Sequence, residues 1–167
     1  MKSLTIATRP IRPQRTPPGE RPSAAELVAA NINPRTGLAS DYLNHFNEAI
    51  MLLEMIRDIP ECLDEFLQWR PVSYREHFQA SRLSAREMAI MAYDNADPAI
   101  RSEFDDITAA MTAILTTVAT TLRASEHSHD HVRLATQTIG WLKPLVTLAG
   151  GVINGGEAAD IDALLSR

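Results

Sequence analysis

The hydrophobic pattern of the chain has the period of α-helices. Apolar residues recur at spacings of three and four in three long segments, which contain Leu43, Phe46, Ile50 and Leu53, then Ile107, Met111, Ile114, Val118 and Leu122, then Ala135, Ile139, Leu142 and Val146. This spacing places the apolar side chains on one buried helix face, whereas strands would show an alternation with period two. The sequence therefore predicts an all-α fold, an up-and-down helical bundle whose core comes from helices near residues 40–58, 97–124 and 130–149.

Prolines predict where several helices begin. Pro60, Pro71 and Pro98 each follow the end of one apolar pattern and precede the next. Proline suits the first turn of a helix, because its missing N–H would have no partner there and its φ is already helical. We therefore expect short helices started by proline at 60–70 and 71–80, packed across one side of the bundle, and the start of the longest helix at Pro98.

Two capping boxes and one internal proline complete the helix prediction. Ser23 with Glu26, and Ser84 with Glu87, have the Ser-x-x-Glu spacing in which each side chain caps the backbone N–H of the other residue. Pro144 lies inside a periodic segment, where it predicts a kink or a break. The additional helices predicted in this way span residues 24–31, 84–95 and, after the last glycines, 157–165.

Residues 1–22 form a segment rich in proline and arginine, which we call the basic tail. It holds five of the ten prolines and few apolar residues, a composition typical of disordered or polyproline II chains. Six basic and two acidic residues give positions 1–37 a charge of +4, and since the whole chain carries −5, the remainder carries −9. We expect residues 23–167 to form a single helical domain with its core at about 39–149.

Three arginines of the basic tail, Arg9, Arg12 and Arg15, are candidate contacts for a protein partner. They are too few, and lack interleaved aromatic residues, for strong phosphate binding. No predicted helix carries a basic recognition face, so specific nucleic-acid binding is not expected. An acidic groove of a partner, or of the −9 body of the same chain, is the alternative target.

The segment from residue 69 to residue 78 is the strongest candidate for a partner-binding surface. Trp69, Tyr74 and Phe78 alternate with Arg70 and Arg75 in a chain that has only nine Phe, Trp and Tyr residues. Aromatic and arginine side chains dominate the hot spots of protein interfaces. Two alternatives stand: an exposed aromatic and arginine patch, or rings that fill the crossing between two short helices.

A second candidate site surrounds His45. With Asp41 and Glu48 at i−4 and i+3, its charged form would be favoured, which suits a phosphoacceptor in a histidine phosphotransfer bundle. The stretch Asn44–Ile50, Asn-His-Phe-Asn-Glu-Ala-Ile, resembles the phosphoacceptor box of sensor histidine kinases, His-Asp-Phe-Asn-Asn-Leu-Leu. Aligned on Phe-Asn, the phosphoacceptor position falls on Asn44, and no glycine-rich ATP-binding segment follows, which excludes an autokinase.

A third candidate is a metal site in the run from residue 126 to residue 131. His127 and His131 would lie one helical turn apart and could both bind a Zn²⁺-type ion. A site needs a third ligand, and His129 would point to the opposite side of the helix. The alternative is a solvated turn between two long helices.

The remaining features exclude more functions than they predict. The single cysteine, Cys62, cannot form an intrachain disulfide, the N-terminus lacks a secretory leader, and neither long uncharged run has about 20 unbroken apolar residues. These observations favour a cytoplasmic protein outside the membrane. No nucleotide or nucleophile motif occurs, so no cofactor is expected. We expect a non-enzymatic regulator or adaptor that binds a protein partner, with a homodimer through the 107–122 stripe as one form of that binding.

Overall fold

The structure, a computed structural model, describes residues 21–82 and 85–156 of the chain. Its helices are α1 (Ala24–Ala29), a 3₁₀ helix (Ser40–Tyr42), α2 (Leu43–Met55), α3 (Cys62–Gln68), α4 (Tyr74–Ala80), α5 (Arg86–Asp94), α6 (Pro98–Ala124) and α7 (Ser128–Ile153). Within the described ranges there is no strand, only an isolated antiparallel bridge between Ile32 and Ala39. The predicted all-α, up-and-down bundle is confirmed.

The three long helices, α2, α6 and α7, form the centre of the bundle. α6 and α7 are joined by three residues and pack along each other, and α7 also packs on α2. The predicted stripe of α6 points inward, because Met111, Val118 and Leu122 are buried. The core of a single chain thus takes up these side chains, so they do not form an exposed surface for a homodimer.

The start of α6 is determined by its sequence. Pro98 is the first helical residue, as predicted, and Asp97 caps the helix by accepting hydrogen bonds at one carboxylate oxygen from the N–H groups of Ala99 (2.8 Å) and Ile100 (3.3 Å). The predicted capping box of Ser23 at α1 is also confirmed. Local capping chemistry and the apolar stripe agree here, so the predicted bounds of α6 match the observed ones.

The other two prolines lie before their helices rather than in the first turn. α4 begins three residues after Pro71, because Ser73 supplies a capping box with Glu76 that was not predicted. Ser73 itself is extended, with φ −71° and ψ 165°, the conformation typical of an N-cap residue. α3 likewise begins two residues after Pro60. The prediction that Pro60 and Pro71 occupy the first turn of their helices is therefore wrong.

Pro144 lies inside α7, which runs without a break to Ile153. The predicted break is wrong. Proline removes one backbone hydrogen bond to the carbonyl of Gly140, four residues earlier, and both residues face solvent, where water can replace that bond. The helix ends where Gly155 adopts a φ of +71° and the N–H of Gly156 bonds the carbonyl of Gly151 at 2.9 Å.

The hydrophobic core extends beyond the predicted limits of 39–149. Ile32 and Leu38, in the loop after α1, are buried, as is Ile153 at the end of α7. The buried Thr36 hydroxyl donates a hydrogen bond of 2.6 Å to the carbonyl of Ile153. The loop therefore closes one end of the bundle by satisfying an unpaired carbonyl of the last helical turn.

α6 has the length and composition of a membrane-crossing helix. An 18-residue window within it has a mean hydropathy of 1.3, and 28% of that window is buried in the fold. The expectation that the chain stays outside the membrane remains a prediction.

Three predicted features lie outside the described residues. They are the conformation of the basic tail before residue 21, the capping box of Ser84, and a last helix over 157–165.

Candidate functional site

Rings from six parts of the chain meet in one aromatic cluster of the bundle. Its members are Tyr42, His45, Phe46, Trp69, Tyr74, His77, Phe78, Tyr93 and Phe104. The 3₁₀ helix, α2, α4, α5, α6 and the segment after α3 each contribute at least one ring. This cluster includes the three aromatic residues that the sequence singled out between residues 69 and 78.

Tyr74 lies at the centre of the aromatic cluster. Its ring stacks on Tyr93 with centroids 4.4 Å apart, and its hydroxyl accepts a 2.9 Å hydrogen bond from the N–H of Ala39. Phe78 lies one helical turn further along the same buried face. The hypothesis of an exposed aromatic patch is therefore wrong for Tyr74 and Phe78, whose rings fill the crossing between helices.

The other three members of that predicted surface lie nearer the solvent. Trp69 is half-buried and stacks on His45, and its Nε1 donates a 3.1 Å hydrogen bond to the His45 carbonyl. Arg70 is exposed and donates to backbone carbonyls of its own segment. Arg75 forms an ion pair of 2.5 Å with Asp94. The two arginines are thus at the surface, but each already has a partner.

An open groove of about 570 Å³ lies beside the aromatic cluster. We call it the tyrosine groove. It is lined by Tyr42, Pro71, Val72, Ser73, Tyr74 and Glu76, and by Tyr93, Asp105, Thr108, Ala109, Thr112 and Ala113. The groove lies between the non-helical segment before α4 and positions of α6 that carry alanine and threonine, whose small side chains leave the space open.

The tyrosine groove is acidic and its polar groups are ordered. Tyr93 donates to both carboxylate oxygens of Asp105, at 2.8 and 2.9 Å, and Tyr42 donates to the Val72 carbonyl at 2.8 Å. Glu76 accepts a 2.7 Å hydrogen bond from the N–H of Ser73. These two carboxylates are the charged groups of the lining, which contains no Lys, Arg or His. The groove therefore favours a cationic occupant.

Burial keeps the phenols of the tyrosine groove neutral. It raises the pKa of Tyr42 and of Tyr93 to about 12, with the nearby Asp105 carboxylate adding to the effect, and it also raises the pKa of Tyr74. Burial raises the pKa of Asp105, and the hydrogen bond from Tyr93 opposes that shift. Hydrogen bonds from Ser73 lower the pKa of Glu76. The tyrosines thus act as neutral donors and apolar surfaces.

His45 lies in an environment opposite to the one expected. Burial, and then the neighbouring His77, lower its pKa to about 4, and its Nε2 is buried without a hydrogen-bond partner. Asp41 lies in the 3₁₀ helix and interacts with His77 instead, whereas Glu48 is exposed. The expectation that two carboxylates favour the charged form is wrong, because the Trp69 ring covers the imidazole. This geometry offers no support for a phosphoacceptor.

The predicted metal pair spans the first turn of α7, where the N–H of His131 bonds the carbonyl of His127 at 3.3 Å. His127 precedes α7 as its exposed N-cap residue, and Nε2 of His131 lies 2.9 Å from the Ser125 carbonyl. Among residues 21–82 and 85–156, no group of three or more His, Cys, Asp or Glu side chains could hold a metal ion. Glu126 and His127 lie in the turn between α6 and α7, as in the alternative prediction, whereas residues 128–131 belong to α7.

Arg21, where the described part of the chain begins, lies at the junction of α5 and α6. Arg9, Arg12 and Arg15 lie outside the described residues, but Arg21 lines a smaller cavity of about 270 Å³ together with Met91 and Asp97. These two residues belong to the end of α5 and the cap of α6. The same two helices supply Tyr93 and Asp105 to the tyrosine groove.

Little in the sequence indicated that α6 would line the tyrosine groove. Ala109, Thr112 and Ala113 are small residues at spacings of three and four, on a different face from the apolar stripe. That spacing could have suggested a face lined by small residues. Nothing local predicted that Tyr93 and Asp105 would form a hydrogen bond.

Comparisons of the chain with models of protein families, with curated proteins and with solved structures gave no match. The function must therefore be argued from the geometry of the tyrosine groove and the aromatic cluster.

Proposed function

We propose that this protein is a non-enzymatic regulator or adaptor that binds a protein partner through the tyrosine groove. The bound segment is extended, carries a positive charge and contains proline. The observation that supports this proposal is the composition of the groove: three tyrosines, small side chains and two carboxylates around an open volume of about 570 Å³.

The shape and apolar surface of the groove suit an extended peptide. Polyproline II segments bind in grooves lined by aromatic residues, and they lose little conformational entropy because proline already restricts the chain. The tyrosine groove provides the partly buried Tyr93 ring and the small exposed parts of Tyr42 and Tyr74, each 4% exposed. Ala109 and Ala113 leave the space along α6 in which such a segment could lie.

The charge of the groove determines the second property of the partner. Asp105 and Glu76 are the charged lining residues, and Arg101, whose guanidinium lies 5.6 Å from the centre of the Tyr93 ring, offsets part of the charge of Asp105 from outside the lining. The single Tyr93 hydroxyl leaves acceptor positions on the Asp105 carboxylate unused, and arginine is the side chain that best matches a carboxylate. A basic segment would therefore gain both attraction and orientation.

The hydrogen bonds of the groove favour binding over catalysis. The Tyr42 and Tyr93 hydroxyls donate to protein acceptors, and the Tyr74 hydroxyl accepts a backbone N–H. These groups hold the shape of the surface and offer no activated nucleophile. We further propose a cytoplasmic location, with which the buried free thiol of Cys62 is compatible.

The proposal is tested with two matched α6 variants. Ala113→Arg places bulk and positive charge in the tyrosine groove, whereas Ala110→Arg makes the same change at an exposed position that does not line it. The probes are a short synthetic peptide of alternating Pro and Arg and its Pro-Glu counterpart. Isothermal titration measures their binding to each variant, and circular dichroism confirms the helix content.

We expect the Pro-Arg peptide to bind and the Pro-Glu peptide not to bind. Ala113→Arg should raise the Kd for the Pro-Arg peptide by at least about tenfold, equivalent to 1.4 kcal/mol, and Ala110→Arg should change it by less than about twofold. Equal weakening by both variants, or no binding of the Pro-Arg peptide to a variant whose basic tail is neutralised, would overturn the proposal.

A further inference from the structure

We infer that residues 1–20 of the basic tail occupy the tyrosine groove of the same chain in the resting protein. These residues must be displaced before a partner binds. This inference rests on the proposed function, because the tail has the chemistry of the proposed partner. The tail thus inhibits the binding of a partner to the groove of its own chain.

The basic tail carries the two features that the groove favours. Residues 1–20 contain one lysine and three arginines against Glu20, a net charge of +3, and four prolines. Polyproline II repeats every three residues. In that conformation Arg9, Arg12 and Arg15 share one face, while Pro10 and Pro13 share another. The tail could therefore present arginines to the carboxylates and prolines to the tyrosines.

The tail also starts at a suitable place. Arg21 lies in the cavity beside Met91 and Asp97, at the junction of α5 and α6. From Asp97 to Ala113, at the far end of the groove, α6 rises about 24 Å, at 1.5 Å for each residue. About eight residues of polyproline II cover this distance at 3.1 Å each, so the twenty residues before Arg21 are more than enough to bring Arg9, Arg12 or Arg15 into the groove.

Charge complementarity supports an occupant from this chain. Positions 1–37 carry +4 and the remainder −9, so the tail experiences an attractive field from the body. Attachment also raises the effective concentration of the tail at the groove to the millimolar range typical of short flexible linkers. A weak contact is therefore enough to keep the groove occupied.

The three tyrosines of the chain all line the tyrosine groove, so 3-fluorotyrosine labels the site alone. ¹⁹F NMR of the full chain is compared with that of a tail variant, Arg9→Glu/Arg12→Glu/Arg15→Glu. A Tyr93→Phe sample assigns the resonance that faces both Asp105 and the solvent.

We expect the tail variant to shift the Tyr93 resonance, and a synthetic peptide of residues 1–20 to restore it. Dilution of the wild type should leave its spectrum unchanged, since the contact is intramolecular. The Pro-Arg peptide should bind the tail variant about tenfold more tightly than the wild type. This ratio is expected if the tail occupies the groove in about nine-tenths of the wild-type molecules, because only the remaining tenth can bind the peptide. In an Ala113→Arg background the tail-dependent shift should vanish, and in Ala110→Arg it should remain.

The contrary outcomes separate the inference from the proposed function. If the Pro-Arg peptide binds wild type and tail variant equally and their spectra coincide, the tail does not occupy the groove, although the groove still binds peptides. A tail-dependent shift that disappears on dilution would assign the contact to a second copy and overturn the intramolecular form. If the Pro-Arg peptide binds neither protein, both proposals fail.

Discussion

His45 becomes harder to protonate when the chain folds, so acid should destabilise the protein through this one ring. In the unfolded chain its pKa is the ordinary value of 6.5, and in the fold burial beside Trp69 and the adjacent His77 lower it to about 4. The neutral form is therefore favoured by folding. The stability it contributes is fully present above pH 6.5 and is lost as the pH falls from 6.5 towards 4.

The size of the effect follows from the two pKa values. A difference between 6.5 and about 4 corresponds to an upper limit of about 3.4 kcal/mol, at 1.36 kcal/mol for each pH unit. His45 is only half-buried, so solvent screens its charged form, and we expect about 1–2 kcal/mol of the free energy of unfolding. This is a large part of the stability of a typical domain.

The assay is urea unfolding followed by circular dichroism between pH 7.5 and 4.5. Wild type is compared with His45→Phe, whose ring can still stack on Trp69 but cannot take up a proton. Because both proteins share the other titrating groups apart from the His77 contact, the difference between their unfolding free energies isolates His45. This difference in unfolding free energy should change by about 1–2 kcal/mol in favour of His45→Phe as the pH falls from 7 to 4.5.

An exposed histidine provides the control. His129→Phe removes an exposed ring from the first turn of α7, and the free energy of unfolding of this variant should stay parallel to that of the wild type. If His45→Phe also stays parallel throughout the titration, the buried imidazole does not govern acid stability and the reasoning is refuted.

The remaining predictions concern stability. Gly37→Ala should cost about 2–3 kcal/mol, because Gly37 has a φ of +72° and a Cβ there would lie 2.7 Å from the Ala92 carbonyl oxygen; Gly140→Ala, with open space in an exposed helix, should stabilise by about 0.5–1 kcal/mol. Thr36→Val should cost about 1–3 kcal/mol by leaving a buried carbonyl of the last turn of α7 without its donor. Leu142→Ala, at a fully buried site, should cost about 2–5 kcal/mol. Urea unfolding at pH 7.5 measures all four, and a Gly37→Ala protein as stable as Gly140→Ala would contradict the first pair.

The fold could be predicted where local and periodic signals agree. The cap of Asp97, the proline after it and a stripe of apolar residues all indicate one helix, and α6 has the predicted bounds. The prediction at Pro71 failed because two contacts outweighed the rule for proline: Ser73 caps α4, and the Tyr42 hydroxyl bonds the Val72 carbonyl. The second contact joins residues 30 apart, so no local pattern contains it.

The site was less predictable than the fold. The surroundings of His45 were inferred from carboxylates on its own helix, but the rings that cover it come from Trp69 and His77, on other elements. Tyr93 and Asp105 meet because the turn between α5 and α6 brings two helices together. Sequence spacing describes one element well, whereas the pKa of His45 and the lining of the groove depend on how several elements pack.

The tyrosine groove is kept open by the choice of small side chains. Positions 109 and 113 of α6 carry alanine, although leucine has nearly the same helix propensity and each additional buried methylene would contribute about 0.8 kcal/mol. The neighbouring Tyr42 and Tyr74 rings would provide apolar contacts for such side chains. Filling the groove would thus favour stability, and leaving it open favours an occupant. The alanines at positions 109 and 113 thus give up stability and leave space for the occupant that we propose, while Asp105 and Glu76 favour a basic one.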